Sequence, residues 1–207
     1  MSRFPSQRPA SIDEFKSGYV SELEKAIAAV GADALEKAAE LMKAALDGDR
    51  QIFLAGNGGS AAIANHLVAD YAKNLRGDTQ WKPRVRSLSG SHELITAIGN
   101  DLSYADVFAY QLQGFGRTGD VLVTVSSSGE SENIVRVIDW AKANGIATIA
   151  LTGFSGGRSS KLADVNLHVD SQNYGVVEDL HQLLLHLLGQ WLRMTQMPDA
   201  LIAERKF

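Results

Sequence analysis

The stretch from Phe53 to Asp70, FLAGNGGSAAIANHLVAD, constrains this chain more than any other. A short apolar run breaks at Gly56, Asn57, Gly58 and Gly59 and resumes with helical character from Ser60. A strand that ends in such a loop brings bare backbone N–H groups to the edge of a sheet, and Ser60 is expected to cap the helix that follows. The start of that helix carries roughly half a positive charge, so the loop reads as an anion site for a phosphate or a sugar hydroxyl. It has neither the lysine of a Walker loop nor the GxGxxG spacing of a dinucleotide site, which favours a phosphorylated small molecule over ATP or NAD.

From residue 51 onward strand and helix alternate. Strands are expected at Gln51 to Ala55, Arg84 to Leu88, Val121 to Val125, Ala147 to Thr152 and Val165 to Val169. The alternation predicts an α/β fold: a five-stranded parallel sheet flanked by helices, a flavodoxin-like three-layer sandwich, with ligands beyond the carboxyl ends of the strands. Ser126, Ser127, Ser128, Gly129, Glu130 and Ser131 follow the third strand and lead into a helix from Glu132 to Asn144. With the glycine loop this turn is expected to form one pocket, where hydroxyls and helix-end amides wrap a phosphate without a lysine. Serine-rich turns are also ordinary helix caps, and the turn alone supports either reading.

Ahead of the first strand lie two amphipathic segments. Residues 1–10 carry Pro5 and Pro9 among polar neighbours and read as a mobile lead-in; residues 11–48 read as a helical arm, and 49–207 as the main domain. Ser11 with Glu14 is a capping box, after which Ile12, Phe15, Tyr19, Leu23, Ala26, Ile27 and Val30 recur at helical spacing up to Gly31. Asp33 with Glu36 repeats the signal for a second stripe of Leu35, Ala38, Ala39, Met42, Ala45 and Leu46, ending at Gly48. These stripes either cover the sheet of their own subunit or serve oligomerisation. The first is wide for a chain-terminal arm, and it is expected to pack on another subunit.

At 207 residues, 45% hydrophobic and 21% charged, the chain suits one globular domain. It has no cysteine, hence no disulfide framework or thiolate metal site, and Met1 to Ala10 lacks the apolar core of a signal peptide; a cytoplasmic location is expected. A net charge of −4 argues against a nucleic-acid or anionic-membrane surface. No apolar run approaches the ~18 residues of a membrane span.

Histidine is scarce: His66, His92, His168, His181 and His186. His66 and Asp70 are i, i+4 on the helix after the glycine loop, close enough to share a metal or a substrate. Glu178, Asp179, His181 and His186 lie on a leucine-rich last helix, from Gly175 to about Met194. His92 and His168 have no carboxylate at helical spacing and read as structural.

GNGGS with a histidine six residues after its serine, SSSGES, LTGFSGG and EDLHQLLLH together resemble the sugar isomerase (SIS) domain, and within it the phosphoheptose isomerases. The likeness runs from about Ala32 to Leu192 in the right order and spacing. It implies a homotetramer with active sites between subunits, zinc at one ion per subunit, and interconversion of sedoheptulose 7-phosphate and D-glycero-D-manno-heptose 7-phosphate. Carried over by position, Asn57, Gly58, Gly59, Ser60, Asn100 and Asp101 would touch the sugar, and Ser126, Ser127, Ser128 and Ser131 would hold its phosphate. Asp70 and His186 would be catalytic, Asp70 and Glu178 would also contact substrate, and His66, Asp70, Glu178 and His186 would be the metal set.

Two of these positions depart from the family. Asp70 stands where it has glutamate, which sets a base about 1–1.5 Å further back unless the helix shifts, a displacement that can cost ~10²-fold in rate. Glu178 stands where it has glutamine, adding a negative charge beside an anionic substrate. Such departures leave two alternatives, an isomerase for a different phosphosugar and a non-catalytic phosphosugar-binding or scaffold protein like the replication-initiator-associating protein. The retained His66 and His186 weigh against a scaffold. Glu178 and His186 are also eight residues apart on one helix, about 12 Å along its axis. One zinc does not easily hold both, so a neighbouring subunit is expected to complete the set, with Asp70 and His186 supplied by different chains.

Overall fold

The computed structural model describes residues 4–207. Helices α1 (Ile12–Ala28) and α2 (Ala32–Asp47) precede strand β1 (Gln51–Gly56); α3 (Gly59–Ala69), β2 (Arg84–Ser87), α4 (His92–Asp101), α5 (Ala109–Phe115), β3 (Val121–Ser126), α6 (Glu132–Ala143), β4 (Ala147–Thr152), α7 (Ser159–Leu162), β5 (Val165–His168), α8 (Tyr174–Met194) and α9 (Asp199–Ile202) follow. Each strand lies within one residue of its expected bounds at either end. The sheet runs β2-β1-β3-β4-β5 with every pairing parallel. From β1 the chain steps outward to β2 and then back across to β3, so strand order reverses between β1 and β3, and the loops at that crevice are where such a sheet takes its ligands.

The central strands are apolar without interruption because both faces of a parallel sheet are covered. Ile52 and Leu54 of β1, with Val121, Val123 and Val125 of β3, enter one core shared with Ala38 and Met42 of α2, Leu67 of α3 and Leu184 and Leu188 of α8. Phe53 and Ala55 point the opposite way with Leu122, against Leu112 of α5 and Ile134, Val137 and Ile138 of α6. The result is the expected three-layer sandwich.

Helix starts differ from the sequence reading in two places. Ser11 does cap α1, accepting from the Glu14 N–H at 3.1 Å. In contrast α2 has Gly31 at its N-cap with no side-chain cap, which leaves Asp33 inside the first turn. At α3 the N-cap is Gly58, at φ 55°, and Ser60 is a buried helical residue rather than a cap. The strand turns into the helix that abruptly because Gly56 lets the backbone close on itself: a Cβ there would stand 2.5 Å from the Ser60 carbonyl oxygen.

The first helix lies on its own subunit. Tyr19 Oη donates to Asp179 Oδ2 of α8 at 2.7 Å, and the buried Glu22 accepts from Ser171 Oγ at 3.0 Å. Part of the apolar stripe therefore packs within the chain, whereas its first residue, Ile12, and the neighbouring Val20 are exposed. Part of the segment read as mobile, residues 1–3, lies outside the described residues; next to it Phe4 stacks on Phe15 at 5.7 Å, and its carbonyl accepts from Asn173 Nδ2 at 3.2 Å.

Candidate functional site

Two groups of side chains stand out, and the first of them lies beyond the carboxyl ends of β1 and β3. The first surrounds a cleft of about 400 Å³ lined by Asn57, Ser60, Ser126, Ser127, Ser128, Ser131, Tyr174 and Glu178. The glycine loop and the serine turn thus share one pocket. The serine turn is held from below by the loop after β4. Gly129 takes φ +64°, and a Cβ on it would lie 2.0 Å from the Gly156 carbonyl oxygen, so the two loops meet backbone to backbone. Ser159 adds a hydroxyl at 2.8 Å from the Gly129 carbonyl, and Arg158 binds the Glu130 carbonyl, the Glu130 carboxylate and the Glu132 carboxylate, each at 2.9 Å. Within this rigid turn the Ser127 Oγ is buried and has no hydrogen-bond partner. A buried hydroxyl left unpaired costs about 1–3 kcal/mol, and a ligand oxygen would relieve that cost. Ser131 is the N-cap of the 12-residue α6 but makes no side-chain cap bond, which leaves its hydroxyl to the cleft it lines.

The opposite wall carries a negative charge. A Cβ at Gly59 would come within 2.8 Å of Glu178 Oε2 and 2.9 Å of Oε1, so the Glu178 carboxylate sits over the first turn of α3. The N-terminus of α3, which the sequence marks as an anion site, thus faces a carboxylate from the same chain.

A second group stands two turns further along α8. His66 Nε2, Asp70 Oδ2 and His186 Nε2 lie 3.0 Å from one another in each pair. The two rings meet at 71° with centroids 5.2 Å apart, and Gln182 Nε2 approaches His186 Nε2 at 2.9 Å. Tyr71 fixes the seam between α3 and α8: it is buried, its hydroxyl donates to the Leu185 carbonyl at 2.8 Å, and its ring covers Gly189, where a Cβ would be 2.7 Å from Cε1. Burial, with the Asp70 charge behind it, pushes the Tyr71 phenol far up. Asp70 opens a π-helical turn, Asp70–Asn74, a local widening that often marks functional positions. Asp70 and His186 also border a cleft of about 360 Å³ that includes Arg193 and Phe207.

These three atoms are within 4.8 Å of one another and form a set able to hold a metal ion, and Glu178 is not part of it. The expected four-residue set is therefore split, because an eight-residue separation on a continuous helix keeps Glu178 at the serine cleft. Asp70 and His186 come together within one chain, contrary to the expectation that two chains supply them. Asn100 and Asp101, expected at the substrate, lie at the exposed end of α4, hydrogen-bond to each other at 2.8 Å and are not among the residues that line the cleft. His168 accompanies Thr152 Oγ1 at 3.0 Å, and His92 opens α4. His181 is fully buried, and neither ring nitrogen has a well-aligned partner; burial pulls its pKa down to about 4, against a weak opposing contact with the Thr152 main chain. The sequence reading missed Tyr174, Tyr104 and Asn133, none of which carries a motif signal.

The sequence pattern of the SIS domain matches residues 17–153. A phosphoheptose isomerase from Sulfurimonas denitrificans is 40% identical over 154 residues, 74% of this chain and 78% of that protein. One from Colwellia psychrerythraea is 34% identical over 193 residues, 91% of this chain and 98% of its own length. Among solved structures, a phosphoheptose isomerase from Neisseria gonorrhoeae superposes with a TM-score of 0.80 at 31% identity, covering 87% of this chain and 97% of that one. Among the described residues, no helix is long and apolar enough to cross a membrane.

Proposed function

This chain belongs to the SIS domain family, and on that footing we propose that it is an aldose–ketose isomerase that interconverts sedoheptulose 7-phosphate and D-glycero-D-manno-heptose 7-phosphate through an enediol. The observation that carries the reading is the convergence of Asp70 Oδ2 with the Nε2 atoms of His66 and His186, each pair 3.0 Å apart. Aldose–ketose exchange needs one group to remove a carbon-bound proton and another to serve the neighbouring oxygen. Asp70 takes the first role and His186 the second. The serine turn, with its unpaired Ser127 hydroxyl, binds the phosphate, and the amides at the start of α6 share its charge.

Zinc suits His66, Asp70 and His186. Tetrahedral zinc with bonds of about 2.0–2.1 Å sets its ligand atoms about 3.3 Å apart, close to the spacing here, and three protein ligands leave one position open. When bound, the ion would polarise the sugar oxygen as a Lewis acid. We further propose a homotetramer with shared active sites. The serine cleft and the His66–Asp70–His186 group of one chain are about 12 Å apart along α8, and a neighbouring subunit can bring its own group to this cleft.

Incubation with sedoheptulose 7-phosphate in D₂O tests the reading. Deuterium is expected at the carbon adjacent to the carbonyl, with formation of the aldose. A sugar recovered without deuterium or aldose would overturn the proposed activity.

A further inference from the structure

Asn57 follows β1 in the glycine loop and borders both the serine cleft and a second opening of about 720 Å³ lined by Tyr104, Ala105, Glu132 and Asn133. Its side chain is enclosed by three hydrogen bonds. Asn57 Nδ2 donates to Asn133 Oδ1 at 2.9 Å, Asn133 Nδ2 returns a bond to Asn57 Oδ1 at 3.0 Å, and Tyr104 Oη donates to the same Oδ1 at 2.9 Å. Asn133 is buried on α6, two residues beyond Ser131, so the amide pair ties the glycine loop to the helix that carries the serine turn. Tyr104 comes from a short helical turn that is itself anchored to α6: Ser103 Oγ donates to Asp106 Oδ2 at 2.7 Å, and Arg136 Nη1 to Asp106 Oδ1 at 2.7 Å.

A count of donors and acceptors shows what this does. An amide oxygen accepts two hydrogen bonds and an amide nitrogen donates two. Tyr104 and Asn133 fill both acceptor sites of Asn57, and Asn133 takes one of its N–H groups. One N–H remains. We propose that Tyr104 and Asn133 are positioning residues that hold Asn57 as a single-proton donor at the junction of the two openings, where it recognises an oxygen of the phosphosugar. The same link makes the glycine loop and the serine turn move as one unit.

The test has two arms, one of which rests on the isomerase reading above. In the protein without ligand, the side-chain amide protons of Asn57, assigned by their loss in Asn57→Ala, are followed by NMR hydrogen exchange. One proton is expected to exchange slowly, and Tyr104→Phe is expected to speed its exchange at least about fivefold, the worth of one hydrogen bond. Tyr104 is 59% exposed, so removing its hydroxyl leaves the core intact. In the kinetic arm, Tyr104→Phe is expected to raise KM for sedoheptulose 7-phosphate about fivefold with kcat changed less than about twofold. In an Asn57→Ala background the same change is expected to do nothing, because Tyr104 acts only through Asn57. Unchanged amide exchange in Tyr104→Phe overturns the proposal. So does an unchanged KM, or a KM effect of equal size in both backgrounds, which would assign Tyr104 a direct contact with the sugar. Wild-type protein that neither binds nor turns over this sugar would sink the isomerase reading, and the amide protons would still decide the latch.

Discussion

Glu178 stands over Gly59, its Oε2 2.8 Å from where the β-carbon of any other residue would be. No described hydrogen bond or ion pair neutralises that carboxylate, and it faces the cleft whose far wall is the serine turn. A dianionic phosphate at the serine turn and a carboxylate on the opposite wall repel each other, so the charge at Glu178 selects against anions at the sugar end. Glu178→Gln is expected to lower KM for a phosphosugar several-fold at low salt and by less at high salt, where charges are screened. Steady-state kinetics at two ionic strengths check this; a KM that rises in the variant would mean that the carboxylate binds a sugar hydroxyl as acceptor.

Gly59 is the complementary handle. Alanine at the first position of α3 is a better helix former than glycine, so stability should hold or improve by up to about 1 kcal/mol. The added methyl must still push the Glu178 carboxylate aside. Activity in Gly59→Ala is expected to fall, by up to ~10²-fold if the displaced side chain disturbs the sugar by about 1 Å. Adding the same change to Glu178→Ala should cost little more than Glu178→Ala alone, because there is then nothing to displace. A loss of equal size in that background would point to a clash with the ligand instead.

The seam between α3 and α8 gives a stability prediction. The ring of Tyr71 covers Gly189 at a distance that leaves no room for a methyl, 2.7 Å from where an added Cβ would stand, and Tyr71 is fully enclosed. Gly189→Ala is therefore expected to destabilise the fold by about 1–3 kcal/mol through overpacking, despite the gain in helix propensity. Urea unfolding measures it. Tyr71→Phe should cost about 1 kcal/mol for the lost bond to the Leu185 carbonyl, which keeps its partner within α8. Either change should also loosen the approach of His66 and Asp70 to His186, and metal retention should fall with stability.

Much of this architecture was legible in the sequence because it rests on local patterns. The strands announced themselves as short apolar runs between turn residues, and the i, i+4 spacing of His66 and Asp70 placed two members of the metal-ready group on one helix face. The glycine loop illustrates the limit. Its backbone suggested an anion site, but whether that site stays free depends on Glu178, more than a hundred residues away in sequence and brought over Gly59 only by the packing of α8. Asn133 was illegible for the same reason: a lone asparagine in the first turn of α6 has no signature until β1 and β3 lie side by side. The N-terminal helix was half legible. Its periodicity gave the helix, whereas the bonds by which Tyr19 and Glu22 reach α8 and the segment before it have no local signal.

Buried His181 sets a pH dependence. Its folded pKa is pulled down to about 4 from an ordinary 6.5, chiefly by burial, so between those values the unfolded chain binds a proton that the folded chain excludes. Stability must then rise with pH across that window, with a slope approaching about 1.4 kcal/mol per pH unit from this one group. The carboxylates held below their usual range act only below their ordinary values, 3.8 for Asp47, Asp78, Asp106 and Asp164 and 4.5 for Glu132, and leave the window clear above 4.5. His181→Leu replaces a ring that has no well-aligned hydrogen bond, so it should be nearly neutral at pH 7 and should flatten the profile between pH 4.5 and 6.5. Urea midpoints across that range, for both proteins, check the sign; an unaltered slope in the variant would assign the acid sensitivity elsewhere.

The metal-ready group leads to a prediction about subunit mixing. Asp70 Oδ2 and His186 Nε2 meet at 3.0 Å inside one chain, so a chain lacking either residue has a broken group that no neighbour repairs. Mixed oligomers of Asp70→Ala and His186→Ala, formed by exchange of subunits and verified by mass, are therefore expected to stay inactive. Glu178 belongs to the serine cleft, about 12 Å away along α8, and under shared active sites it serves the group of another chain. Where Glu178→Ala is inactive by itself, mixing it with Asp70→Ala should then restore activity to about a quarter of wild type or less, since a site works only where an intact cleft meets an intact group. Activity recovered in the first mixture would overturn the single-chain assignment of Asp70 and His186. Silence in the second would place the cleft and the group that act together on the same subunit.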